Sequence, residues 1–439
     1  MHTESKRQQF MAKNDAEYRR RIADILLEEK LDAMGAVLFV GPKACGKTTT
    51  AEQQAKSILY MDDPEHVKQN LQLAETNVKR LLQGDTPRLI DEWQLAPQLW
   101  DAIRFETDHR GGDGLFMLTG SAVPADQSKI HHTGAGRFAW LTMRPMTLWE
   151  SGESSGEVSL GALFAHPDAV DGKSTMTLES IALAICRGGW PKAIGKKSPK
   201  AALRQATEYF EAITRSDISR VDGMERDEQR AKRLMRSYAR LQGAMATVPT
   251  IVADMKTNEP EGLSDETVVS YIKALKKIFV IEDMPAWNPN LRSKTAIRTS
   301  DTRYFVDPSI GTAALGIGPN DLLDDLETMG LFFETLCVRD LRVYAEANDG
   351  QVFHYRDKNG LECDAVVHLR NGSYGLIEVK LGGDTRIEEG AANLKSLAAK
   401  IDTTKMKTPS FMMVLTAVGQ YAYMRTDGVM VVPAGCLKD

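Results

Sequence analysis

One segment near the N-terminus limits the possible folds of this chain more than any other. It reads Gly41, Pro42, Lys43, Ala44, Cys45, Gly46, Lys47 and Thr48, and it meets the pattern G-x-x-x-x-G-K-[ST] at every fixed position. The apolar run GAVLFVG precedes it, and TTTAEQQAKSI follows it with helical character. A strand, a glycine-rich loop and a helix in this order predict backbone N–H groups that surround a phosphate at the positive end of the helix.

The polar residues of this loop have distinct expected roles at an ATP site. We expect Lys47 to reach the β- and γ-phosphates and the hydroxyl of Thr48 to ligate Mg²⁺, with Thr49 in the same site. The alternative is a glycine-rich turn whose lysine is merely solvated, but the flanking strand and helix favour the phosphate site. ATP and Mg²⁺ are therefore the predicted ligands.

A second segment, PRLIDEW, is predicted to complete this site, because an apolar strand there ends in two carboxylates. We expect Asp91 to hold Mg²⁺ through water and Glu92 to orient and deprotonate the attacking water. Phosphoryl transfer depends mainly on such positioning and electrostatics. The alternative, that both acids only cap the next helix, is less favoured because they lie downstream of a matched phosphate loop.

Further residues are candidates for sensing or stabilising the γ-phosphate. The third predicted strand, LFMLTGSA, ends in Thr119 and Ser121, each of which is either a sensor or a cap of the turn. Arg137, in HHTGAGRFAW, is the candidate arginine finger. The competing candidates are Arg104, Arg110 and Arg144. A finger that acts in trans implies a homo-oligomer.

The length of the chain, 439 residues, exceeds what one hydrophobic core serves, so several domains are expected. A net charge of −5 excludes a uniformly basic nucleic-acid binder but leaves room for a local basic face. Strands alternating with helices predict an α/β fold with a mainly parallel sheet. The predicted units are an N-terminal helical segment (1–34), a P-loop domain (35–160), a helical linker with a winged-helix-like segment (161–300) and a second α/β domain (301–439).

The helical linker is predicted to end in LSDETVVSYIKALKKIFVIEDMPAWNPN. Ser264 is a good N-cap, and an apolar helix face follows it. With IFVIEDMPAW as a strand, the pattern predicts a winged helix-turn-helix or, equally well, a helical connector with its own small core. The basic residues of this region are candidates for DNA contact or for a solvated face: Lys273, Lys276, Lys277, Arg292, Lys294 and Arg298.

The C-terminal part contains carboxylates on predicted strands. The segments RYFVDPSI, VFHYRD, CDAVVHL, YGLIEVK and FMMVLTAV all read as strands, and Glu334 lies on a helix among them. Residues two apart on a strand share a face, so Glu378 and Lys380 are expected on one side of the sheet, where Asp364 can join them. Carboxylates of this kind suit Mg²⁺, and the lysine can stabilise charge on a phosphate. A surface ion pair between Glu378 and Lys380 is the alternative.

The spacing D-x₁₃-E-x-K at Asp364, Glu378 and Lys380 resembles the PD-(D/E)XK nucleases of restriction-endonuclease-like fold. Cys363 stands where the family name has proline. The resemblance implies that these three residues are catalytic and that Glu334, Asp364 and Glu378 bind metal. Glu362 is an alternative ligand.

The whole chain resembles prokaryotic AAA-family ATP-binding proteins, of the archaeal and STAND-like P-loop group, that carry an uncharacterised C-terminal domain of restriction-endonuclease-like fold. The marks cover nearly the full length: GPKACGKT, RLIDEWQ, FMLTGSA, TGAGRF, MRPMTLWESG, GGWPKA, RYFVDPSI and YGLIEVK. The resemblance implies an AAA-type domain at 35–160 that binds and hydrolyses ATP. Gly188, Gly189 and Pro191 are predicted to form a turn without a catalytic role.

These patterns predict an Mg²⁺-dependent ATPase coupled to DNA binding or processing through the nuclease-like domain. The alternative is a nucleotide-controlled switch or scaffold whose nuclease-like domain is silent. A metabolic kinase is less favoured, because paired acids suit activation of water.

The five cysteines form no CxxC pair, the N-terminus lacks the apolar core of a signal peptide, and no apolar run reaches about 18 residues. We therefore expect a cytoplasmic protein without a membrane partner.

Overall fold

Apolar segments of the N-terminal third pair into one sheet in a computed structural model, which describes residues 18–120, 133–256, 264–288 and 300–439. The strands are β1 (Ala36–Val40), β2 (Ser57–Tyr60), β3 (Arg88–Asp91), β4 (Phe116–Thr119) and β5 (Phe138–Thr142). They lie in the order β2-β3-β4-β1-β5, and all of the pairs are parallel. Every residue of β3 and β4 is buried, as expected for strands covered on both faces.

Helices cover this sheet. They are α1 (Ile22–Ala33), α2 (Lys47–Gln54), α3 (Val67–Thr76) and α4 (Leu99–Arg110). α1 contacts β1 and β5 and buries Leu26, Leu27 and Leu31. The predicted N-terminal helical segment is therefore helical from Ile22 onward, while residues 1–17 lie outside the described part of the chain.

The middle region is helical over most of its length, as its sequence predicts. Its helices are α5 (Leu148–Ser151), α6 (Leu160–Ala165), α7 (Leu178–Arg187), α8 (Pro191–Ile194), α9 (Pro199–Ala212), α10 (Ile218–Arg220), α11 (Glu228–Arg240), α12 (Val248–Lys256) and α13 (Asp265–Lys277). A π-helical turn, Ile213–Asp217, joins α9 to α10. The side chain of Ser264 accepts the N–H of Thr267 and caps α13, as expected.

After α13 the chain forms isolated antiparallel bridges rather than the predicted strand. Ile281 pairs with Phe305, and Met284 pairs with Thr302. The segment that connects these bridges, 289–299, lies outside the described residues, and so do Arg292, Lys294 and Arg298. Helices followed by a bridged pair suit a winged helix, and that assignment stays a prediction.

The C-terminal part is a second sheet with helices beside it. Its helices are α14 (Pro308–Leu315), α15 (Pro319–Asp324), α16 (Leu326–Ala347) and α17 (Asp384–Lys400), and its strands are β6 (Val158–Ser159), β7 (Gly172–Lys173), β8 (Gly350–Arg356), β9 (Glu362–Leu369), β10 (Tyr374–Lys380), β11 (Phe411–Thr416), β12 (Tyr421–Met424), β13 (Met430–Pro433) and β14 (Leu437–Lys438). Seven of these strands form the sheet β7-β12-β13-β11-β10-β9-β8. β10 and β13 are parallel to β11, whereas β8, β9 and β10 are antiparallel neighbours. Across the described residues, no helix is long and apolar enough to cross a lipid bilayer.

The predicted boundary at residue 160 does not coincide with a boundary in the fold. β7 pairs with β12, and β6 pairs with β14, where Val158 lies opposite Leu437. The rings of Phe164 and Phe411 also meet edge-on, with centroids 5.1 Å apart. The stretch from β6 to β7 therefore belongs with the C-terminal sheet. Strands of two residues show no periodicity, so the sequence pattern does not reveal them.

The prediction of a strand at RYFVDPSI is wrong, because the first half forms only an isolated bridge at Phe305 and α14 begins at Pro308. The side chain of Asp307 accepts the N–H of Ser309 at 3.0 Å and caps this helix. Pro308 occupies the first helical position, where a missing N–H has no cost. The Asp-Pro pair is thus a helix start that outweighs the apolar character of the segment.

Candidate functional site

The loop between β1 and α2 has the backbone that its glycine pattern predicts. Gly41, Ala44 and Gly46 have positive φ angles of 145°, 61° and 105°. A Cβ atom on Gly41 would lie 2.0 Å from the carbonyl oxygen of Met143, so only glycine fits there. The loop ends at the N-terminus of α2, whose partial positive charge favours an anion.

Lys47 lies within this loop. Its side chain is buried, and its ammonium group donates to the carbonyl oxygens of Gly41 and Pro42 at 2.8 and 2.7 Å. Among the described residues it pairs with no carboxylate, so its charge is not neutralised by the protein. This is the arrangement expected of a lysine that receives a phosphate.

Thr48, Asp91 and Thr119 meet at the carboxyl edge of the sheet. The hydroxyl of Thr48 donates to Oδ1 of Asp91 at 2.9 Å, and the buried hydroxyl of Thr119 donates to the same oxygen. They converge because β4 lies between β1 and β3. Hydroxyl and carboxylate oxygens beside a phosphate loop are the donors that Mg²⁺ prefers, so these residues fit the predicted ion.

Glu92 follows β3 directly and is half-buried. Its φ angle of 54° is left-handed, which is uncommon for a residue other than glycine and recurs at functional sites. The side-chain amide of Gln94 donates to Oε2 of Glu92. Glu92 is therefore placed beside Asp91, at the same edge of the sheet as the loop.

Lys43, by contrast, points out of the loop. Its ammonium group pairs with Oδ1 of Asp217 at 2.6 Å, and its side chain is 45% exposed. Asp217 ends the π-helical turn. Cys45 is buried, and its thiol lies 3.5 Å from the carbonyl oxygen of Met143. Lys43 and Cys45 thus have their side chains engaged by the protein, and the prediction that they bind nucleotide rests on their backbone.

The structure places Arg137, the candidate arginine finger, away from the phosphate site of its own chain. The carbonyl oxygen of Arg137 accepts the N–H of Ala36, the first residue of β1. Arg137 therefore lies at the amino edge of the sheet, about 17 Å along β1 from the phosphate loop. Its guanidinium pairs with Asp108 at 2.9 Å. A role in trans stays a prediction.

The other arginine candidates also lie in ion pairs. Arg104 pairs with Asp108, and Arg110 pairs with Glu106, on the same helix. The partners of Arg144 are Glu282 and Glu346. Ser121, the second sensor candidate, lies outside the described residues.

Arg21 contacts the phosphate loop, and the sequence analysis missed it. Its Nη1 donates to the carbonyl oxygen of Cys45 at 2.9 Å. Its Nε donates to Oε1 of Glu150 at 2.9 Å, and both side chains are buried. Arg21 stands in the run Arg19-Arg20-Arg21 just before α1, and nothing in the sequence separates it from its neighbours.

A cleft of about 910 Å³ opens beside the start of α2. Thr49 and Tyr18 line it on the side of the phosphate loop, and Pro191 and Lys192 line it from α8. The turn Gly188-Gly189, predicted from GGWPKA, brings α8 to this position; a Cβ atom on Gly189 would lie 2.1 Å from the carbonyl oxygen of Met146. The cleft is large enough for a nucleoside, and the described residues that line it include basic but no acidic ones.

A second group of candidate residues converges on β9 and β10. Lys380 Nζ lies 2.6 Å from Oε2 of Glu378 and 3.2 Å from Oδ2 of Asp364. The same Asp364 oxygen accepts the N–H of Val379 at 2.8 Å. The strand spacing thus places the three residues of the D-x₁₃-E-x-K pattern together, as predicted. Oε1 of Glu378 is buried and has no hydrogen-bond partner among the described residues.

Glu334 approaches this group from α16. Tyr304 donates its hydroxyl to Oε1 of Glu334. Burial and, after it, the nearby charge of Asp364 raise the pKa of Glu334 and that of Glu378, each to about 8. Burial lowers the pKa of Lys380, but Asp364 and Glu378 outweigh it and raise that pKa. The acids thus interact with one another, with one lysine among them.

The metal site at Glu334, Asp364 and Glu378 stays a prediction. Across the described residues, no three or more Asp, Glu, His or Cys side chains are grouped so that they can hold a metal ion. The ammonium group of Lys380 lies between Asp364 and Glu378, where it supplies the positive charge that a cation would bring. Glu362, the alternative ligand, pairs with Arg356 at 3.0 Å.

Three family models match successive parts of the chain. The AAA domain matches residues 34–151, the domain of unknown function DUF8612 matches residues 178–321, and the domain of unknown function DUF4143 matches residues 329–437. The first match contains the whole phosphate site and, with its geometry, supports a P-loop, AAA-like ATPase domain in a mixed α/β chain. The other two matches name no activity, and they do not confirm a restriction-endonuclease-like fold.

Two uncharacterized relatives and two solved structures are also similar to this chain. Uncharacterized proteins of Mycobacterium bovis and Mycobacterium tuberculosis are each 21% identical over 417 residues, which is 94% of this chain and 83% of the relative. The Walker-type ATPase of Pyrococcus abyssi covers 67% of this chain and 95% of its own, at 13% identity and a TM-score of 0.40. The replication initiator DnaA bound to AMPPCP and single-stranded DNA covers 58% and 86%, at 12% identity and a TM-score of 0.27. Such low TM-scores carry no argument about function.

Proposed function

We propose that this protein binds ATP with Mg²⁺ at the loop 41–48 and hydrolyses it. The observation that carries the proposal is the meeting of Thr48, Asp91 and Thr119 beside a lysine without a carboxylate partner. A phosphate loop alone binds nucleotide. A loop joined to a strand that ends in two acids has, in addition, the parts for hydrolysis.

The residues of the loop and the cleft divide the binding of ATP between them. Loop N–H groups and the N-terminus of α2 hold the phosphates, and Lys47 exchanges its two carbonyl partners for phosphate oxygens. The nucleoside occupies the cleft, where Pro191 and Tyr18 offer apolar surface and Lys192 adds positive charge. Thr48 and Asp91 would hold Mg²⁺, which would neutralise charge at the phosphates.

Hydrolysis requires a base for the attacking water, and Glu92 takes this role. Its carboxylate is half-buried, next to Asp91, and Gln94 restrains it by a hydrogen bond. Glu92 orients a water molecule toward the γ-phosphate and accepts its proton. Thr119 holds Asp91 in place through the oxygen that Thr48 also contacts.

Glu92→Gln tests the hydrolytic part of this proposal. The amide keeps the shape but accepts no proton, so ATP binding should persist while kcat falls at least about 100-fold. Steady-state phosphate release and nucleotide titration measure the two effects separately. The exposed Glu75→Gln serves as the matched control and should leave both unchanged. Normal hydrolysis by Glu92→Gln would show that Glu92 is not the base.

DNA is the partner to which we propose that ATP use is coupled. Support comes from α13, where Lys273, Lys276 and Lys277 are exposed, although Lys276 also pairs with Asp283 at 2.6 Å. Phosphate contacts of this kind weaken steeply as salt rises. Fluorescence anisotropy of a labelled duplex at low and high salt, with and without ATP, tests the idea. The absence of binding at low salt in either state would contradict it.

A nucleotide-controlled switch or scaffold is the second candidate function, and the C-terminal cluster favours it. We propose a restriction-endonuclease-like fold for this domain, supported by the order α16, three antiparallel strands, α17 and β11. In that fold Asp364 and Glu378 are ligand positions, yet here they share the ammonium group of Lys380. Plasmid incubated with Mg²⁺ or Mn²⁺ separates a nuclease from a silent module. Nicking that disappears in Glu378→Ala indicates a nuclease, and no nicking by the wild type indicates the switch.

A further inference from the structure

Arg21 joins the phosphate loop to the chain that follows β5. Its guanidinium donates to the carbonyl oxygen of Cys45 at 2.9 Å and to that of Arg144 at 2.9 Å. Two further bonds go to the carboxylate of Glu150, at 2.9 and 3.2 Å. A surface arginine rarely has so many fixed partners, and this side chain is only 4% exposed.

Glu150 fixes this guanidinium in place. Besides Arg21, its carboxylate accepts the N–H groups of Ile22 and Thr147, each at 2.9 Å. Both oxygens are therefore satisfied, and the carboxylate is 2% exposed. Because a buried, fully bonded pair has no alternative arrangement nearby, the position of the Arg21 guanidinium is rigid.

The contact with Cys45 determines how one peptide group of the loop is turned. In a planar trans peptide the carbonyl oxygen and the following N–H point in opposite directions. Since the carbonyl oxygen of Cys45 is held by Arg21, the N–H of Gly46 points away from Arg21. That N–H has no acceptor among the described residues. Loop N–H groups of this kind are the donors that bind phosphate.

We propose that Arg21, held by Glu150, is a positioning residue that turns the Cys45–Gly46 peptide so that the N–H of Gly46 faces the polyphosphate. The proposal rests on the function proposed above, and it adds a residue outside the loop on which phosphate binding depends. It also explains why a fully bonded arginine lies against Gly46, where a Cβ atom would be 3.5 Å from its Nη1.

The test must separate positioning from stability, because loss of either partner leaves a buried charge unpaired. Arg21→Met should therefore lower both Tm and ATP affinity. The double variant Arg21→Met with Glu150→Leu replaces the pair by apolar side chains and should recover much of the Tm. ATP affinity, measured by titration, should stay at least tenfold below wild type in the double variant. Pyrophosphate, which lacks the nucleoside, should show the same loss.

A control variant and two contrary outcomes complete this test. The exposed neighbour variant Arg20→Met should keep ATP affinity within twofold of the wild type. If the double variant recovers affinity together with Tm, Arg21 is a structural residue only, and the positioning proposal is overturned. If the wild type itself binds neither ATP nor pyrophosphate, the proposed function fails, and the positioning role fails with it.

Discussion

The two candidate sites each contain a lysine beside acidic residues, but the partners of the two lysines differ. Lys47 donates to the neutral carbonyl oxygens of Gly41 and Pro42. Lys380 donates to the carboxylates of Glu378 and Asp364. The charge of Lys47 is therefore available to a ligand, whereas that of Lys380 is balanced by the protein. The N-terminal site is arranged to receive an anion, and the C-terminal cluster is already neutralised.

Replacing each lysine by alanine should lower the stability of the protein by different amounts. Lys380→Ala leaves Asp364 without its counter-charge and should destabilise the protein by about 3 kcal/mol. Lys47→Ala removes only bonds to two carbonyl groups and should cost about 1 kcal/mol or less. Urea unfolding measures both values. Equal losses of stability would contradict the distinction between the sites.

The pH dependence of stability should originate in the C-terminal cluster. Burial and the charge of Asp364 raise the pKa of Glu378 to about 8, above its value in the unfolded chain. The folded state therefore binds this proton more tightly than the unfolded state does. The resulting contribution to the free energy of unfolding is complete below about pH 4.5 and is lost as the pH rises through 8. We expect a loss on the order of 2 kcal/mol between pH 5 and 8.5. Because Glu334 has a similarly raised pKa, Glu378→Gln should remove only part of this slope in urea unfolding, and an unchanged slope would contradict the assignment.

Thr119→Val should affect the N-terminal site alone. Valine matches the shape of threonine but cannot donate to Asp91, so among the described residues Thr48 alone still donates to that carboxylate. We expect kcat for ATP to fall about tenfold, with a stability loss of about 1 kcal/mol. Phosphate release and unfolding curves measure these two effects. If kcat is unchanged, Thr119 is a structural cap rather than part of the hydrolytic site.

Lys43→Ala should have the smallest effect. Its exposed ammonium group pairs with the buried Asp217 and not with the loop interior. A pair with one solvated partner contributes on the order of 1 kcal/mol, and ATP affinity should stay within about twofold of wild type. Nucleotide titration checks this. A loss as large as that of Lys47→Ala would mean that Lys43 also contacts phosphate.

Local sequence patterns predicted which residues lie together at each of the two candidate sites. The glycine positions and Lys47 follow from a continuous motif, and the grouping of Asp364 with Lys380 follows from strand spacing. Contacts between distant parts of the chain were not predictable in this way. Arg21 and Glu150 are 129 positions apart, and only the packing of α1 against the sheet brings them together.

The sequence also left open at which edge of the sheet Arg137 lies. Arg137 directly precedes β5, and a parallel strand places its first residue at the edge away from the phosphate loop. The sequence identifies the strand but not which end of it a neighbouring arginine occupies. Likewise, the carboxylates of the C-terminal cluster follow from the pattern, whereas the position of the Lys380 ammonium group between them depends on side-chain packing.

Titration of ATP in the presence of Mg²⁺ into wild type and Lys47→Ala is the most direct test of the central claim. Lys43→Ala, a change of another lysine in the same loop, provides the matched control. We predict that the wild type and Lys43→Ala bind ATP with similar affinity and that Lys47→Ala shows at least about a 100-fold loss while remaining folded. Equal binding by all three proteins, or no binding by the wild type, would contradict a phosphate site built around Lys47.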